Sequence, residues 1–391
     1  MVMTAMPGTD RGAAAGAGAD VRLGRYARQM ILPQVGRRGQ QRLLESRVLV
    51  IGAGALGSAA ALYLAAAGVG TLGIVDGDRV AEHNLHRQIL HGTADVGRSK
   101  TESARERIAA LNGDVRVVLH EEFLAPDNAL GILAEYDLVV NGSDNFATRY
   151  LVGDACVLLG RPLVDAAILR FEGQFATYLP GEACYRCLFP TPPPPGSVPD
   201  CAEAGVLGAL AGVLGSMEAV EALKILLGIA EGGTRLSLFD ALSGEWHAVR
   251  LRRDPDCPVC GDAPTITRLL DDYQVFCGLA RVADVPTVGA AEALAWLEAG
   301  RAVLVDVRTP AETALGVVPG SRLVPMTELD VAAFGADAGA AVVFVCASGV
   351  RSAQVAGRLR AAGVDAYSLD GGVLRWQAEG LPWQADGAGP A

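Results

Sequence analysis

The eight cysteines of this chain offer three kinds of chemistry. Cys346 opens a tight loop, Cys346-Ala-Ser-Gly349-Val-Arg351-Ser352, directly after the apolar run Ala341-Val-Val-Phe-Val345. A thiol at a strand-to-helix turn faces backbone N–H groups and the positive end of a helix dipole, which stabilise its thiolate. Cys346 is therefore read as a nucleophile and not as strand packing. Gly349, Arg351 and Ser352 complete an anion nest around it, and Arg351 adds positive charge. Two further pairs, Cys184-x-x-Cys187 and Cys257-x-x-Cys260, supply four thiolates in turns, the donor set of tetrahedral structural zinc, with a redox dithiol as the rival reading. Cys201 ends the proline-rich stretch 191–201, an exposed and semi-rigid span, and directly precedes a helix-like run from Ala202. A mobile thiol there can travel to a substrate. Cys277 has no assignable partner and reads as incidental.

A second set of reactive types gathers near residue 80. Asp76, Asp78, Asn84, Arg87, Gln88 and Lys100 fall within one strand-to-helix connection, and Asp144 ends a later strand. Two acids for a metal, with Arg87 and Lys100 for phosphate oxygens, suit ATP and a pentacovalent phosphorus better than hydride transfer. Lys100 and Lys224 are the only lysines among 33 basic residues. A lysine where arginine is the rule points to a required compact ammonium. The rival reading is a solvated charged loop.

The elements that must position these groups are legible. Val48-Leu-Val-Ile51 reads as a buried strand, Gly52-Ala-Gly54-Ala-Leu-Gly57 as a turn, Ser58 to Ala67 as a helix of small residues, and Thr71 to Val75 as a strand ending in Asp76. That is the doubly wound nucleotide fold, with a glycine turn at phosphates and an acid at a ribose hydroxyl. Strands at 302–307 and 341–345 alternate with helices in a smaller α/β unit. The chain divides into a disordered tail at 1–20, a nucleotide-binding domain at 21–267, a linker at 268–284 and the small domain at 285–391.

Taken together, Arg25-Tyr-Ala-Arg28-Gln, Gly52-x-Gly54-x-x-Gly57, Asp76-x-Asp78, Asn84-Leu-His-Arg87-Gln, Lys100 and Ser143-Asp144-Asn145 resemble the ubiquitin-activating-enzyme-like superfamily, most closely its bacterial MoeB/ThiF branch. The resemblance implies adenylation of the C-terminal glycine of a small β-grasp sulfur carrier ending in Gly-Gly, with ATP and Mg²⁺ as cofactors and the same zinc on the four cysteines. It places ATP contacts at Gly54, Ala55, Asp76, Asp78, Asn84, Arg87, Gln88, Lys100, Asp144 and Asn145, with Asp144 as the magnesium ligand. Glycine is the commoner residue where this chain has Ala55. Arg28 is implied to enter the neighbouring subunit's ATP site, hence a homodimer. Cys201 matches a loop cysteine that resolves or accepts the activated acyl group. The stretch from Leu304-Val-Asp306-Val-Arg308 to Gly380-Leu-Pro382, including the Cys346 loop and Gly371-Gly-Val-Leu-Arg-Trp376, resembles a rhodanese domain, with Val317 where histidine is frequent. The joint reading is an adenylyltransferase whose acyl-adenylate is attacked by a persulfide on Cys346, giving a thiocarboxylate. Thiosulfate or a cysteine desulfurase would be the sulfur donor. An NAD-binding oxidoreductase fused to a sulfurtransferase, or a non-catalytic persulfide-binding module, are the alternatives. The receiving pathway stays open.

Composition agrees with a soluble enzyme. A formal net charge of −11 argues against a nucleic-acid surface, and the weakly polar run 204–217 is too short to span a bilayer. With no secretory leader and eight cysteines, a reducing cytoplasmic setting is expected.

Overall fold

Alternating side chains in one buried strand set up two cores. The computed structural model describes residues 22–194, 205–230, 232–278, 285–329 and 341–385. In β1 (Arg47–Ile51), Val48 and Val50 join one core with Leu64, Ile108 and Ala219, while Leu49 and Ile51 join another with Leu133, Tyr150 and Leu151. A strand buried on both faces belongs inside a parallel sheet covered by helices on each side. The sheet has eight strands in the order β3-β2-β1-β4-β5-β6-β7-β8. Its members are β1, β2 (Thr71–Val75), β3 (Arg116–His120), β4 (Leu138–Asn141), β5 (Leu163–Leu169), β6 (Glu172–Tyr178), β7 (Arg235–Asp240) and β8 (Glu245–Arg250). The first five are parallel and the last three antiparallel. Strand order reverses between β1 and β4, so a crevice opens at their carboxyl ends, where ligands of such sheets bind.

Close helix contact explains the small residues after β1. The helix Ala55–Ala67 packs along the long helix Gly208–Leu227. A Cβ on Gly215 would lie 2.3 Å from Leu56 O, and one on Gly208 would lie 2.4 Å from His86 O. The two glycines let the long helix touch both the nucleotide turn and the segment carrying Arg87.

A second sheet forms the smaller unit: β9 (Thr287–Val288), β10 (Ala302–Asp306), β11 (Arg322–Leu323), β12 (Ala341–Val345) and β13 (Ala366–Leu369), all parallel, in the order β11-β10-β12-β13-β9. The α/β class, with a doubly wound parallel half in the first sheet and a smaller α/β unit, is as expected from the sequence.

One expectation needs correction. The described part of the stretch read as a linker, 268–278, does not hang between domains. Leu269, Tyr273 and Cys277 are buried in the core that holds Leu133 and Tyr150. The apolar spacing at 269, 273 and 277 buries one face, which a scan for linkers by composition overlooks. Cys277 thereby has a packing role, and burial pushes its thiol up to about 11. Among the described residues, no helix is long and apolar enough to cross a membrane.

Candidate active site

The nucleotide turn is built by backbone contact before any ligand enters. Gly52 has φ +86°, a conformation that a side chain resists, and Gly57 sits so tightly that a Cβ there would lie 1.8 Å from Gly52 O. A Cβ on Gly142, in the turn after β4, would lie 2.8 Å from Gly57 N. These glycines press the turns after β1 and β4 together, and so bring Asp144 to the nucleotide turn. Gly54 differs, because a Cβ on it would meet only Gln88 Nε2, at 3.8 Å. Its face is open, as a phosphate cradle requires. Helix Ala55–Ala67 starts three residues earlier than the sequence pattern indicates, with Ala55 as its first residue and Gly54 as an N-cap without a side-chain cap.

Asp76, at the end of β2, fixes this turn. One carboxylate oxygen accepts from Ala53 N (2.9 Å) and the other from Asp78 N (2.8 Å). His91 holds the same residue from its other side: Nε2 is 2.9 Å from Ala53 O and must be the donor, so Nδ1 accepts from Ser103 Oγ at 2.8 Å. Burial lowers the His91 pKa and favours this neutral form. Sequence reasoning missed His91; a lone histidine three residues after Gln88 carries no signal without the fold.

Lys100 is buried at the N-terminus of helix Lys100–Leu111, where the helix dipole disfavours a cation. It is held by Asp78 (2.9 Å) and Asp76 (3.6 Å). An ammonium balanced this way can turn to a phosphate when one arrives. Arg87 donates to Asn84 Oδ1 at 2.7 Å, which orients its guanidinium. Gln88 is buried, and its Oε1 is without a hydrogen-bond partner. Asp144 is exposed at the end of β4, and Asn145 caps helix Phe146–Leu159 by accepting from Thr148 N at 2.9 Å.

A second unforeseen residue steadies Asp144. Arg149, buried, donates to Asp165 (2.8 Å), to Ala166 O (2.6 Å) and to Ser143 O (2.7 Å), the carbonyl just before Asp144. Arg28 lies elsewhere, exposed on helix Ala27–Met30. Its neighbour Gln29 donates to Ala67 O at the far end of helix Ala55–Ala67 (3.2 Å), about 18 Å along that helix from the nucleotide turn.

In the smaller unit Cys346 lies at the end of β12, fully buried, and its Sγ accepts from Gly349 N (3.2 Å) and Ser352 N (3.4 Å). Ser352 Oγ is 3.4 Å away. Helix Val350–Ala361 begins inside the stretch read as the Cys346–Ser352 loop, and Gly349, its N-cap, has φ +95°. Gly372 explains the glycine pair after β13. A Cβ on it would lie 2.3 Å from Cys346 O, so only glycine lets helix Gly372–Ala378 support the loop. The charge expected from Arg351 is already engaged. Its guanidinium pairs with Glu312 at 2.5 and 3.0 Å. Burial opposes ionisation of Glu312, but bonds from Arg351 and the Thr309 amide hold its carboxyl below the usual range. The nest therefore relies on N–H groups more than on Arg351.

Cys184, Cys187, Cys257 and Cys260 converge, their sulfurs all within 4.8 Å of one another. Burial first, then its neighbours, pushes the Cys184 thiol far up, and Cys260 is raised to about 12. Four thiolates this close repel unless a cation sits among them, so the donor set fits zinc. Cys201 lies outside the described residues.

These features define a class: a doubly wound nucleotide site joined to a parallel-sheet domain that holds a thiol in a nest of amides. The chain belongs to the ThiF family, whose model matches residues 26–259, and a rhodanese-like domain model matches residues 289–379. It is 45% identical to the adenylyltransferase/sulfurtransferase MoeZ of Mycobacterium tuberculosis, over 92% of this chain and 93% of that protein. It is 57% identical to the sulfur carrier protein adenylyltransferase of Thermus thermophilus, over 66% of this chain and 97% of that protein. The crystal structure of Escherichia coli MccB with ATP shares the fold, with a TM-score of 0.54 and 22% identity over 62% of this chain and 75% of that one. The chain is an enzyme of the adenylyltransferase and sulfurtransferase class.

Proposed function

We propose that this enzyme adenylates the C-terminal glycine of a ubiquitin-like sulfur-carrier protein and then replaces the adenylate with sulfur carried on Cys346. The observation that carries this reading is the pairing, on one chain, of an open Gly54 turn ringed by Asp76, Asp78 and Lys100 with a thiol nest built for an anion.

A carboxylate is a poor electrophile. In the first step a carboxylate oxygen of the carrier attacks the α-phosphorus of ATP and pyrophosphate leaves. Arg87 and Lys100 spread the developing charge, Asp76 meets the ribose and Asp144 would hold Mg²⁺, which neutralises phosphate charge when bound. In the second step the outer sulfur of a Cys346 persulfide attacks the acyl carbon, AMP leaves and an acyl disulfide forms. A second thiol, assigned to Cys201, attacks Cys346 Sγ, releasing the thiocarboxylate and leaving a disulfide for an external reductant. Thiosulfate or a cysteine desulfurase loads Cys346. The four-cysteine cluster would hold structural zinc and takes no part in these steps. The NAD alternative leaves Asn84, Arg87, Lys100 and Asp144 without a task.

Arg28 supports a homodimer. Its neighbour Gln29 meets the helix end about 18 Å from the nucleotide turn, which favours a role for Arg28 at the site of a second copy. Exposed Ile31, Leu32, Tyr63 and Val220 give that face the apolar surface an interface uses. Cytoplasmic residence is supported by the seven described cysteines, none of which is joined in a disulfide.

Asp144→Ala and Arg87→Ala should abolish carrier-dependent ATP–pyrophosphate exchange while circular dichroism stays unchanged. Exchange within about tenfold of wild type in both, roughly 1.4 kcal/mol of transition-state stabilisation, overturns the site. Cys257→Ser should lose zinc by mass spectrometry and lower the melting temperature, whereas Cys201→Ala should keep its zinc.

A further inference from the structure

The two halves of the proposed reaction meet only if the sulfurtransferase domain is tethered where its persulfide can reach the adenylate. The start of that tether is fixed by a buried polar cluster outside both sites. Arg186, between Cys184 and Cys187, donates through Nε to Asp154 Oδ1 (2.7 Å) and through a terminal nitrogen to Oδ2 (2.8 Å). Tyr273 donates its hydroxyl to the same Oδ2 at 2.7 Å. The guanidinium lies 4.5 Å from the Phe276 ring centre and 4.9 Å from that of Tyr150. Exposures are 3% for Arg186, 1% for Asp154 and 3% for Tyr273. Asp272 caps the short helix Tyr273–Phe276 by accepting from Gln274 N (2.8 Å) and Val275 N (3.0 Å).

We infer that Arg186, Asp154 and Tyr273 form a latch that clamps the interdomain segment onto the adenylating domain beside the cysteine cluster, and that they are positioning residues for sulfur transfer. The inference rests on the function proposed above. A bidentate ion pair closed by a tyrosine is more specific than apolar packing requires, because every lone pair and donor must be met when such groups are buried. The arginine is presented by the turn between two cysteines of the cluster, so the integrity of that cluster sets where the latch closes. The consequence is geometric. The anchored segment ends at Gly278, and Val285 is already buried in the second domain's core. Seven residue steps span at most about 25 Å, whereas release back to residue 267 would allow about 65 Å. Counted in residues, release lengthens the connection to the second domain's core from six to 17, and effective concentration falls about fivefold by the three-halves power of length.

The test uses the full chain, a carrier ending in Gly-Gly, and thiosulfate to load Cys346. Tyr273→Ala should leave pyrophosphate exchange, persulfide loading on Cys346 and sulfide-supported thiocarboxylate formation unchanged. Thiocarboxylate formation from the loaded persulfide should fall about fivefold, and limited proteolysis should cut 268–284 faster. Tyr273→Phe, which loses only the hydroxyl, should shift both readings in the same direction by less. Chelation of the cluster's metal should also speed cleavage there. An unchanged transfer rate in Tyr273→Ala despite faster cleavage overturns the positioning role. Equal loss of the sulfide and persulfide routes in both variants assigns the residues to stability alone, and unchanged cleavage removes the latch. If the wild type shows neither exchange nor thiocarboxylate, the proposed function fails and the positioning role with it, while the cleavage comparison still decides whether the latch exists.

Discussion

Two turns in this molecule start from the same plan and end in opposite states. Both leave a buried parallel strand, β1 or β12, and both enter a helix whose N-cap is glycine with no side-chain cap, Gly54 or Gly349. An uncapped helix start offers several N–H donors that need an acceptor. In the first turn the positive-φ glycine is Gly52, next to the strand, and the face of Gly54 stays open. In the second the positive-φ glycine is the N-cap itself, and the chain curls so that Cys346 Sγ takes two of the donors. The sulfur occupies the place that a capping serine or aspartate oxygen fills elsewhere. One turn keeps an open face toward solution, and the other is filled by its own sulfur. Where the bent glycine falls decides which.

The strongest way to break this comparison is to remove the sulfur. Cys346→Ala should cut thiosulfate-derived thiocarboxylate at least about a hundredfold, because among the described residues no other thiol sits in a comparable nest. Pyrophosphate exchange should stay within about twofold of wild type, and free sulfide, which needs no nest, should partly restore product. Cys201→Ala should be milder when an external reductant is supplied. Intact mass of the carrier, read for replacement of oxygen by sulfur, follows each variant. A wild-type rate from thiosulfate in Cys346→Ala would show that the second turn is not a carrier at all.

The open turn can be tested with its own glycines. Gly57→Ala drives a Cβ to 1.8 Å from Gly52 O, so the backbone must move; a loss of about 1–3 kcal/mol in stability, together with exchange activity, is expected. Gly54→Ala meets nothing nearer than 3.8 Å and should unfold at nearly the wild-type denaturant concentration. Its methyl would instead fill the cradle and raise the KM for ATP. Equal stability losses in the two variants would mean that Gly54 is structural too.

The smallest expected effect lies in the support of the closed turn. Glu312, held below its usual pKa, contributes stability that is present above its unfolded value of about 4.3 and is lost as pH falls through the folded value. Thermal unfolding followed at the second domain should be flat from pH 8 to about 5.5 and decline below about 4.5. Glu312→Gln should soften that decline. An unaltered acid limb in the variant would assign the pH dependence to other carboxylates.

Much of the fold could be read directly from pattern. Val48–Ile51 and Ala341–Val345 were plain because a strand buried on both faces has to be continuously apolar, and Thr71–Val75 because Asp76 ends it at the crevice. The first helix start read late by three residues and the second began inside the stretch read as loop, since Ala55 and Val350 belong to turns whose glycines mask helical periodicity. Asp76, Asp78 and Lys100 were legible as a group because unlike charges cluster there against an alanine-rich background. His91 and Arg149 were not, because His91 holds the distant Ala53 carbonyl and Arg149 is fixed by Asp165 and Ala166 on another strand.

The sequence by itself determined which residues can react: the thiol after an apolar strand, the acids and lysine at one connection, and the four cysteines in two spaced pairs. Only the tertiary structure decided what those residues are free to do. It paired Arg351 with Glu312, so that amides and not a side-chain cation hold the Cys346 sulfur. It closed Gly57 against Gly52 and left Gly54 open, although all three glycines look alike in the motif. It also folded residues 269–277 into the first domain's core through a buried tyrosine. The reason is the same in each case. Residue type fixes charge and reactivity, but partnership depends on which distant carbonyl, carboxylate or amide the fold brings within about 3 Å.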